Sequence, residues 1–421
     1  MNAYRSHEEM PAIPPEDRIA AYYQPIVALD TRRIFGYEVL GRERTGDGVR
    51  SLGPFFSDER VPVEDQVRVD RLLREQAIAK LGETAEPPFL FLNLKPSWIY
   101  RHYHSSGELH TLQLLEKYGI SPSKVCIEIT EEEFRGSMTE LNEVIDEYRA
   151  QGCRIAIDDV GSGFSSYDRI AQIQPNLLKV DIHMMKKSAS HQGYLGVLRS
   201  FSTLAEQIGA SLLVEGVETR QDLQRAIQIG ARYAQGYLFA PAEAEFRPKD
   251  DFAQVIGEEL EEHKRKLQAS ERIWLQKGKR LFMSIAETGT RERLEETEEV
   301  RRDGALSNEA SERYDEAISR WLPDLDEDCL RVYLCRDNGI QLSSNHSRSP
   351  EGTWRIEKDF RGSDWSWRPY FIPHLSHAEP RTESKISTKY ADLDTHAWIR
   401  TVSLPIGREL VLFLDIVDRT I

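Results

Sequence analysis

The sequence predicts an α/β protein: a (β/α)8 barrel, then a helical linker, then a small antiparallel-sheet domain. Three observations lead to this prediction. Short apolar runs alternate with amphipathic stretches from about residue 18 to 245, a charged and proline-poor stretch follows Pro248, and strand patterns around an Asp-Asn-Gly turn begin near residue 325. We therefore expect an N-terminal extension at 1–17, a barrel at 18–247, a linker at 248–322 and a last domain at 323–421.

The barrel prediction rests on repetition. The apolar runs are "YYQPIVAL", "FGYEVLG", "FLFLNL", "KVCIEIT", "RIAIDD", "NLLKVD", "SLLVEGV" and "QGYLFA". Helical patterns lie between them, such as "YLGVLRSFSTLAEQIG", which ends at Gly209. Strand, helix and strand in succession indicate a mostly parallel sheet. About eight such units over about 230 residues favour a closed barrel over an open doubly wound sheet.

The segment from 248 to 322 has helical periodicity. Its first part carries a ragged apolar stripe of Phe252, Val255, Ile256, Leu260, Leu267, Ile273, Trp274, Leu281 and Ile285. We expect one long helix or two, with another helical stretch over 287–320. A solvated linker and a helix packed against a second copy of the chain both fit this pattern.

The last hundred residues have strand periodicity instead. In "CLRVYLCRDNGIQLSSN", two short apolar runs flank Asp337, Asn338 and Gly339, which predicts a hairpin. "RELVLFLDI" reads as a buried strand. These patterns predict a small antiparallel sheet.

Composition excludes several classes of protein. The net charge of -15 argues against binding of a nucleic-acid polymer. No apolar run approaches the roughly 18 residues of a membrane span. The N-terminus lacks the pattern of a signal peptide. The four cysteines, Cys126, Cys153, Cys329 and Cys335, have no metal-binding or disulfide spacing. We expect a cytoplasmic protein.

Polar residues recur at the ends of the predicted barrel strands. They are Glu38, Asn93, Glu128, Asp158, Asp159, Lys179, Asp181, Glu215 and Gln235. The carboxyl ends of barrel strands meet at one mouth, where active sites of this fold lie. So many acids in one place repel each other unless cations balance them.

The residue types indicate which cations these are. Carboxylates and the amide of Asn93, without His or Cys, suit Mg²⁺, Mn²⁺ or Ca²⁺. Two such ions about 4 Å apart promote phosphoryl transfer, which predicts phosphodiester hydrolysis. Lys179 is either a counter-ion among the acids or a catalytic group. Arg42 is either a surface residue or a phosphate clamp.

At these residues the chain resembles the EAL-domain family, phosphodiesterases that open cyclic di-GMP to the linear dinucleotide pGpG. The matching motifs are "QPI" (24–26), "EVLGR" (38–42), Asn93, "EITE" (128–131), "DDVGSG" (158–163), "KVD" (179–181), "VEGVE" (214–218) and "QGY" (235–237), with Pro241 beyond. The resemblance implies a modified TIM barrel with one reversed strand, and a homodimer.

The resemblance also implies roles for individual residues. The implied metal ligands are Glu38, Asn93, Glu128, Asp158, Asp159 and Glu215, with Asp158 bridging two Mg²⁺ or Mn²⁺ ions. Lys179 and Glu215 are the implied catalytic residues, and Ca²⁺ is expected to occupy the site without supporting turnover. The implied substrate contacts are Gln24, Leu40, Arg42, Asp181, Gln235 and Pro241. Glu131 and Glu218 are expected to anchor loops.

Three departures from the family pattern leave a second hypothesis open. Val39 and Gly41 alter the signature without removing a ligand, and Val160 stands where a phenylalanine usually follows the paired aspartates. A smaller side chain there predicts a packing deficit of about one to a few kcal/mol if the position is buried. The alternative to an enzyme is therefore a cyclic di-GMP receptor with weak or no turnover. A metal-dependent barrel enzyme acting on another phosphorylated substrate is a third hypothesis.

The C-terminal region resembles PAS/Cache sensor domains. "DNGIQLSSN" is similar to their hairpin, and "WSWRPYF" to their aromatic-rich segment. The resemblance implies a PAS-like domain with an unknown small-molecule ligand, tuning the barrel through the long helix. A dimerisation domain without a ligand is the alternative.

Overall fold

The computed structural model describes residues 13–95, 109–130, 138–161, 167–188, 191–301, 307–372 and 383–419. The strands are β1 (Ile19–Ala28), β2 (Arg33–Thr45), β3 (Gly48–Ser51), β4 (Phe89–Leu94), β5 (Val125–Thr130), β6 (Arg154–Val160), β7 (Leu177–Val180), β8 (Ser211–Val214), β9 (Tyr233–Gln235), β10 (Cys329–Arg336), β11 (Asn345–Arg348), β12 (Trp354–Glu357), β13 (Lys385–Ile386), β14 (Tyr390–Ala391), β15 (Trp398–Ile406) and β16 (Leu410–Val417). The helices are α1 (Gly53–Ser57), α2 (Val63–Gly82), α3 (His110–Lys117), α4 (Met138–Ala150), α5 (Tyr167–Ile173), α6 (Ile182–Ser188), α7 (Gln192–Ile208), α8 (Arg220–Gln228), α9 (Ala253–Glu287), α10 (Thr290–Arg301) and α11 (Asn308–Trp321).

Eight strands close into a barrel, as predicted. The order is β1-β9-β8-β7-β6-β5-β4-β2, and pairing of β1 with β2 closes the ring, while β3 pairs with the outer part of β2. β1 is antiparallel to both of its neighbours, and the other barrel pairs are parallel. The expectation of one reversed strand is therefore confirmed. Because of this reversal, the first half of β1 lies beside the last half of β2, with Ile19 opposite Glu43.

The inside of the barrel is apolar in one layer and polar in the next. The apolar layer is a buried cluster that includes Phe91, Cys126, Ala156, Leu177, Leu213 and Tyr233. On each strand, the residue two positions after the apolar one is polar. In the same order, these polar residues are Asn93, Glu128, Asp158, Lys179, Glu215 and Gln235. Side chains two apart on a strand lie on the same face, so the apolar layer closes the barrel beneath a polar mouth.

The second sheet has seven strands and is antiparallel throughout. Its order is β12-β11-β10-β16-β15-β13, with β14 also on β15. The predicted turn at Asp337 lies between Arg336 and Ile340, whose backbone N–H and C=O are 2.8 Å apart. A buried cluster including Trp321, Val332, Leu404 and Leu412 joins helices to one face of this sheet. The predicted antiparallel-sheet domain is confirmed.

The predicted linker helix is continuous and contributes to two cores. The chain divides into compact units at Met1–Lys264 and Arg265–Ile421, so that α9 belongs partly to each. Ile256 is buried in the core of the barrel unit, and Trp274 and Ile285 are buried in the core of the second. Leu267 and Ile273 of the predicted stripe are instead exposed. Within the described ranges, no helix has the length and apolar character needed to cross a bilayer.

Candidate active site

The polar layer gathers most of the predicted residues around one lysine. The Nζ of Lys179 is 2.7 Å from Glu215 Oε1, 2.8 Å from Glu128 Oε1, 3.3 Å from Asp158 Oδ1 and 3.9 Å from Glu38 Oε2. Lys179 and Glu128 are completely buried, Glu38 and Asp158 are nearly so, and the side chain of Glu215 is 19% exposed. Four carboxylates thus surround one ammonium, which leaves a local excess of negative charge.

Burial and mutual repulsion govern the protonation of this cluster. Burial raises the pKa of the Glu128 carboxyl well above its usual range; Lys179 opposes this shift, while Glu38 and Asp158 add to it. Burial also raises the pKa of Glu215 to about 8. For Lys179, burial lowers the pKa, but the surrounding carboxylates outweigh it and the pKa is raised well above its usual value. Without a bound cation, the site therefore favours a charged Lys179 beside protonated Glu128 and Glu215.

Asp159 is brought to the site by a distortion of β6. Its φ is +57°, a left-handed conformation that few non-glycine residues adopt. The pairing of β6 with β7 shifts register between Ile157 and Val160, and the Asp159 N–H donates to Asp158 Oδ1 at 2.9 Å. This bulge lets two successive aspartates serve one site, although side chains normally alternate across a strand.

The acids form a set of oxygen ligands that fits divalent cations. One carboxylate oxygen from each of Asp158, Asp159 and Glu215 lies within 4.8 Å of the others. Glu128 Oε2 is buried and accepts no hydrogen bond from the described part of the chain. Several carboxylates with free lone pairs are what Mg²⁺ and Mn²⁺ prefer. The residues present therefore fit the implied metals.

The side-chain amides of Asn93 and Gln235 hold Glu38, the remaining carboxylate near Lys179. Asn93 Nδ2 donates to Glu38 Oε1 at 3.0 Å, and Gln235 Nε2 donates to Glu38 Oε2 at 2.6 Å. Gln24 is paired with Glu38 across β1 and β2, and its Nε2 lies 3.4 Å from the Ala240 carbonyl. Gln235 was expected to contact substrate, but in the structure its amide contacts a predicted metal ligand.

The other predicted residues lie at the rim or outside the described residues. Leu40 and Arg42 line a cavity of about 280 Å³, and burial lowers the pKa of Arg42. Asp181 Oδ1 accepts the His183 N–H at 2.6 Å. The exposed Glu218 lies 3.0 Å from Lys186 Nζ.

Two further expected residues have no site contact that can be described. Pro241 is exposed, and Glu131 lies outside the described residues, as do 162–166 of the Gly-Ser loop.

Val160, where the sequence departs from the family pattern, is completely buried in the core of the barrel unit. It pairs with Val180 across β6 and β7. Gly161 follows with φ +95°, and a Cβ at this position would lie 2.0 Å from Met184 Sδ. The turn after the paired aspartates is therefore tightly packed on this side.

Two features of the site were missed in the sequence. Arg74 is buried in α2, where its Nη2 donates to the Asn93 carbonyl at 2.9 Å. Tyr237 is 69% exposed and close enough to Arg42 to affect its pKa. The pairing of Asp70 with Arg74 at i and i+4 was a usable signal for the first. The position of Tyr237 in "QGY" was a signal for the second.

Comparison with known proteins gives two family matches. Residues 11–242 match the EAL domain, and residues 258–420 match an EAL-domain associated signalling protein domain, YkuI_C. The PAS-like character of the C-terminal domain stays a prediction.

Individual relatives match over different lengths. An uncharacterized EAL-domain containing protein of Bacillus subtilis, YkuI, is 32% identical over 95% of this chain and 94% of its own length. The cyclic di-GMP phosphodiesterase RocR of Pseudomonas aeruginosa is 34% identical over 52% of this chain and 56% of its own length. The crystal structure of B. subtilis YkuI with c-di-GMP and calcium has a TM-score of 0.81 and 30% identity, and covers 96% of this chain and 97% of its own.

Proposed function

The chain belongs to the EAL-domain family, and from this premise we propose that it binds cyclic di-GMP and hydrolyses it to pGpG. The observation that carries this proposal is the oxygen-only cluster of Asp158, Asp159 and Glu215 beside the buried Lys179. Three similarities support the choice of substrate. The barrel matches the EAL domain, the chain is similar to the cyclic di-GMP phosphodiesterase RocR, and it is similar to YkuI, whose crystal structure contains c-di-GMP.

Each residue has a role in this proposal. Glu38, Asn93, Glu128, Asp158, Asp159 and Glu215 would hold two Mg²⁺ or Mn²⁺ ions, with Asp158 shared between them. When bound, these ions would supply Lewis-acid stabilisation of the phosphodiester and activation of water. Lys179 places a fixed positive charge where negative charge develops on the phosphate. Glu215 accepts the proton of the attacking water.

The remaining residues position the ligand. Arg42 lines the cavity beside Leu40 and would contact a phosphate or a base. Gln24, Asp181 and Pro241 form further parts of the proposed rim. Glu131 and Glu218 would anchor the loops around the metals. The contact of Gln235 with Glu38 supports a role in holding a metal ligand beside its proposed contact with substrate.

Turnover of cyclic di-GMP by the purified chain tests the proposal. With Mn²⁺ or Mg²⁺ we expect pGpG as the product, and with Ca²⁺ we expect binding without turnover. Glu38→Ala and Asp158→Ala should abolish turnover because each removes a metal ligand. Absence of pGpG with every metal and pH tested would contradict hydrolysis.

A receptor is the second candidate function, and Val160 is the observation that favours it. The position is completely buried in the core of the barrel unit and directly follows Asp159, so a change in its packing would affect the turn that carries Asp159. If the turn limits turnover, calorimetry should detect cyclic di-GMP binding while pGpG formation stays negligible, and Val160→Phe should raise turnover. Melting temperature should be measured in parallel, since overpacking a core costs about 1–3 kcal/mol. Wild-type turnover equal to that of a relative with phenylalanine would exclude this candidate.

We also propose that the C-terminal domain regulates the barrel through α9. In the barrel unit, Arg220 Nη1 lies 2.8 Å from Glu258 and 3.0 Å from Glu259, and Gln224 also donates to Glu259. These contacts join α9 to α8, which follows Glu215 in the chain. Turnover by the full chain and by a chain ending at Lys264 should differ. Equal rates would contradict regulation.

Three further proposals concern assembly, sensing and location. The resemblance to the family supports a homodimer, and exposed apolar side chains such as Tyr167 and Val197 are available to an interface; light scattering tests the oligomeric state. The resemblance of the C-terminal domain to sensor domains supports an unknown small-molecule ligand there, which thermal-shift screening of metabolites tests. The four cysteines are unpaired, which supports a reducing, cytoplasmic location, and fractionation tests it.

A further inference from the structure

The C-terminal domain contains a polar segment that is buried along its whole length. Residues 341–346 read "QLSSNH", and none of the six is more than 6% exposed. Buried polar groups cost free energy unless they are hydrogen-bonded. Most of this segment meets that condition, since side-chain hydrogen bonds within the domain are made by Gln341, Ser343, Ser344 and Asn345. His346 is the exception, because its Nδ1 is buried without a hydrogen-bond partner among the described residues.

The imidazole of His346 reaches from β11 to α11. Its other nitrogen, Nε2, lies 3.4 Å from Ser319 Oγ on α11, and the residue is completely buried. The residues opposite His346 on the neighbouring strands are the apolar Val332 of β10 and Ile356 of β12. A proton added to Nδ1 would therefore place a charge in an enclosed site with apolar side chains on both neighbouring strands.

Asp315, on α11, is the charged group that acts on this ring. Its Oδ1 accepts the Ser344 N–H at 2.7 Å, and its Oδ2 accepts the Ser344 hydroxyl at 2.7 Å and pairs with Arg361. Arg361, from the segment after β12, thus balances the carboxylate. Further charges on these two elements, such as those of Glu312 and Lys358, form an exposed pair. Within the described chain, the carboxylate that acts on the imidazole is therefore already paired.

Burial governs the protonation of this histidine. It lowers the pKa of His346 below the ordinary value of 6.5, while Asp315 and the carbonyls of Val332 and Ser344 oppose the shift. The neutral ring has one donor and one acceptor nitrogen, whereas the protonated ring has two donors. The hydroxyl of Ser319 accepts or donates, so it serves Nε2 in either state. The second donor, at Nδ1, is the one that has no acceptor in this packing.

We propose that His346 is a proton-sensitive contact of the C-terminal domain, and that its protonation in weakly acidic solution loosens the packing of α11 on β11. The proton comes from solvent and binds Nδ1, and the looser packing lets the imidazolium donate to water. This inference goes beyond the proposed function, since it concerns neither the metals nor the nucleotide. It gives the domain a response to pH through one residue.

Hydrogen exchange of the full chain tests this response. Mass spectrometry follows the backbone amides of α11 from about pH 7.5 to about pH 5.5, with each rate corrected for intrinsic exchange. We expect α11 to lose protection below about pH 6.5, by up to about tenfold per pH unit, because the open state binds one more proton. Helix α8 of the barrel, in the same sample, should keep its protection and serves as the internal reference.

Two histidine positions isolate the residue responsible. His346→Gln removes the titrating ring and should abolish the loss of protection, whereas His396→Gln, at an exposed histidine of the same domain, should behave like the wild type. If His346→Gln does not fold, His346→Phe keeps a ring that binds no proton and should give the same result. An equal loss of α11 protection in wild type and in the His346 variants, or no loss in the wild type, would overturn the inference.

NMR of the full chain labelled in its histidines gives a second readout. The signal that disappears in His346→Gln should titrate below about pH 6.5, and titration at or above this value would contradict an enclosed ring. The acids of the barrel act in the opposite direction, since the raised pKa values of Glu128 and Glu215 stabilise the folded state at low pH. Failure of cyclic di-GMP hydrolysis would leave both readouts unchanged, because neither experiment contains nucleotide or metal.

Discussion

Lys179 lies at the centre of the site, and its single positive charge does not balance the carboxyl groups around it. One ammonium faces four carboxylates within 3.9 Å. A buried ion pair that loses one partner leaves an uncompensated buried charge. The lysine therefore has a structural effect on the cluster, whatever its part in the reaction.

Replacing this lysine tests that effect. Lys179→Met keeps the length of the side chain and removes its charge, so we expect the metal-free protein to lose about 3–5 kcal/mol of unfolding free energy. Added Mn²⁺ should raise its melting temperature more than that of the wild type, because a cation replaces the missing charge. Lys186→Met, at the exposed pair with Glu218, is the control. A metal-free Lys179→Met protein as stable as the wild type would contradict the expectation.

Glu215 makes the stability of the metal-free protein depend on pH. Its pKa is raised from 4.5 to about 8, so between these values the folded state binds more protons than the unfolded state. Glu215 should therefore make the unfolding free energy fall as pH rises through this window, contributing at most about 1.4 kcal/mol per pH unit beside the contribution of Glu128, whose pKa is also raised. Urea unfolding with EDTA measures this slope. Glu215→Gln should reduce the slope, and an unchanged slope would assign it to other groups.

The turn after β6 is the element on which the paired aspartates depend. Asp159 and Gly161 both have positive φ, and the space beside Gly161 is filled by Met184. The backbone here is thus constrained in both conformation and contact. Such strain persists only where the surrounding structure enforces it.

A glycine substitution separates conformation from contact. Gly161→Ala should cost about 1–3 kcal/mol for the φ value, and more for the contact with Met184. Gly119 has φ +68° with no atom within 4 Å of the added Cβ, so Gly119→Ala carries only the cost of conformation. The difference in unfolding free energy between the two variants measures the contact. Equal losses would show that Met184 moves aside freely.

At the scale of the whole molecule, α9 determines where the chain can be truncated without removing part of the core of the barrel unit. Ile256 is completely buried and Phe252 nearly so, both in the core of the barrel unit. A chain ending at Asp250 loses both side chains, and large core deletions cost about 2–5 kcal/mol each. A chain ending at Lys264 keeps them. We expect the shorter chain to melt well below the longer one, and equal melting temperatures would contradict this expectation.

Much of the fold was predictable because the pattern of apolar and polar residues within each short segment indicates its secondary structure. The barrel strands and the polar residues at their ends follow from alternation along each run. The contacts within the site were less predictable, because they join distant positions: Gln235 reaches Glu38 across 197 residues and Asn93 reaches it across 55. The packing of Trp274 was ambiguous for the same reason, since a helical stripe does not specify what covers it.

The reversal of β1 has a practical consequence for handling the protein. In a barrel with all strands parallel, the first strand begins at the end opposite the active site. Here Ile19 lies opposite Glu43, beyond the signature residues of β2, so the chain enters the barrel at its mouth. A purification tag fused ahead of residue 13 is therefore tethered to the rim that a ligand must pass. Assays of binding and turnover are best made with the tag removed or placed after Ile421.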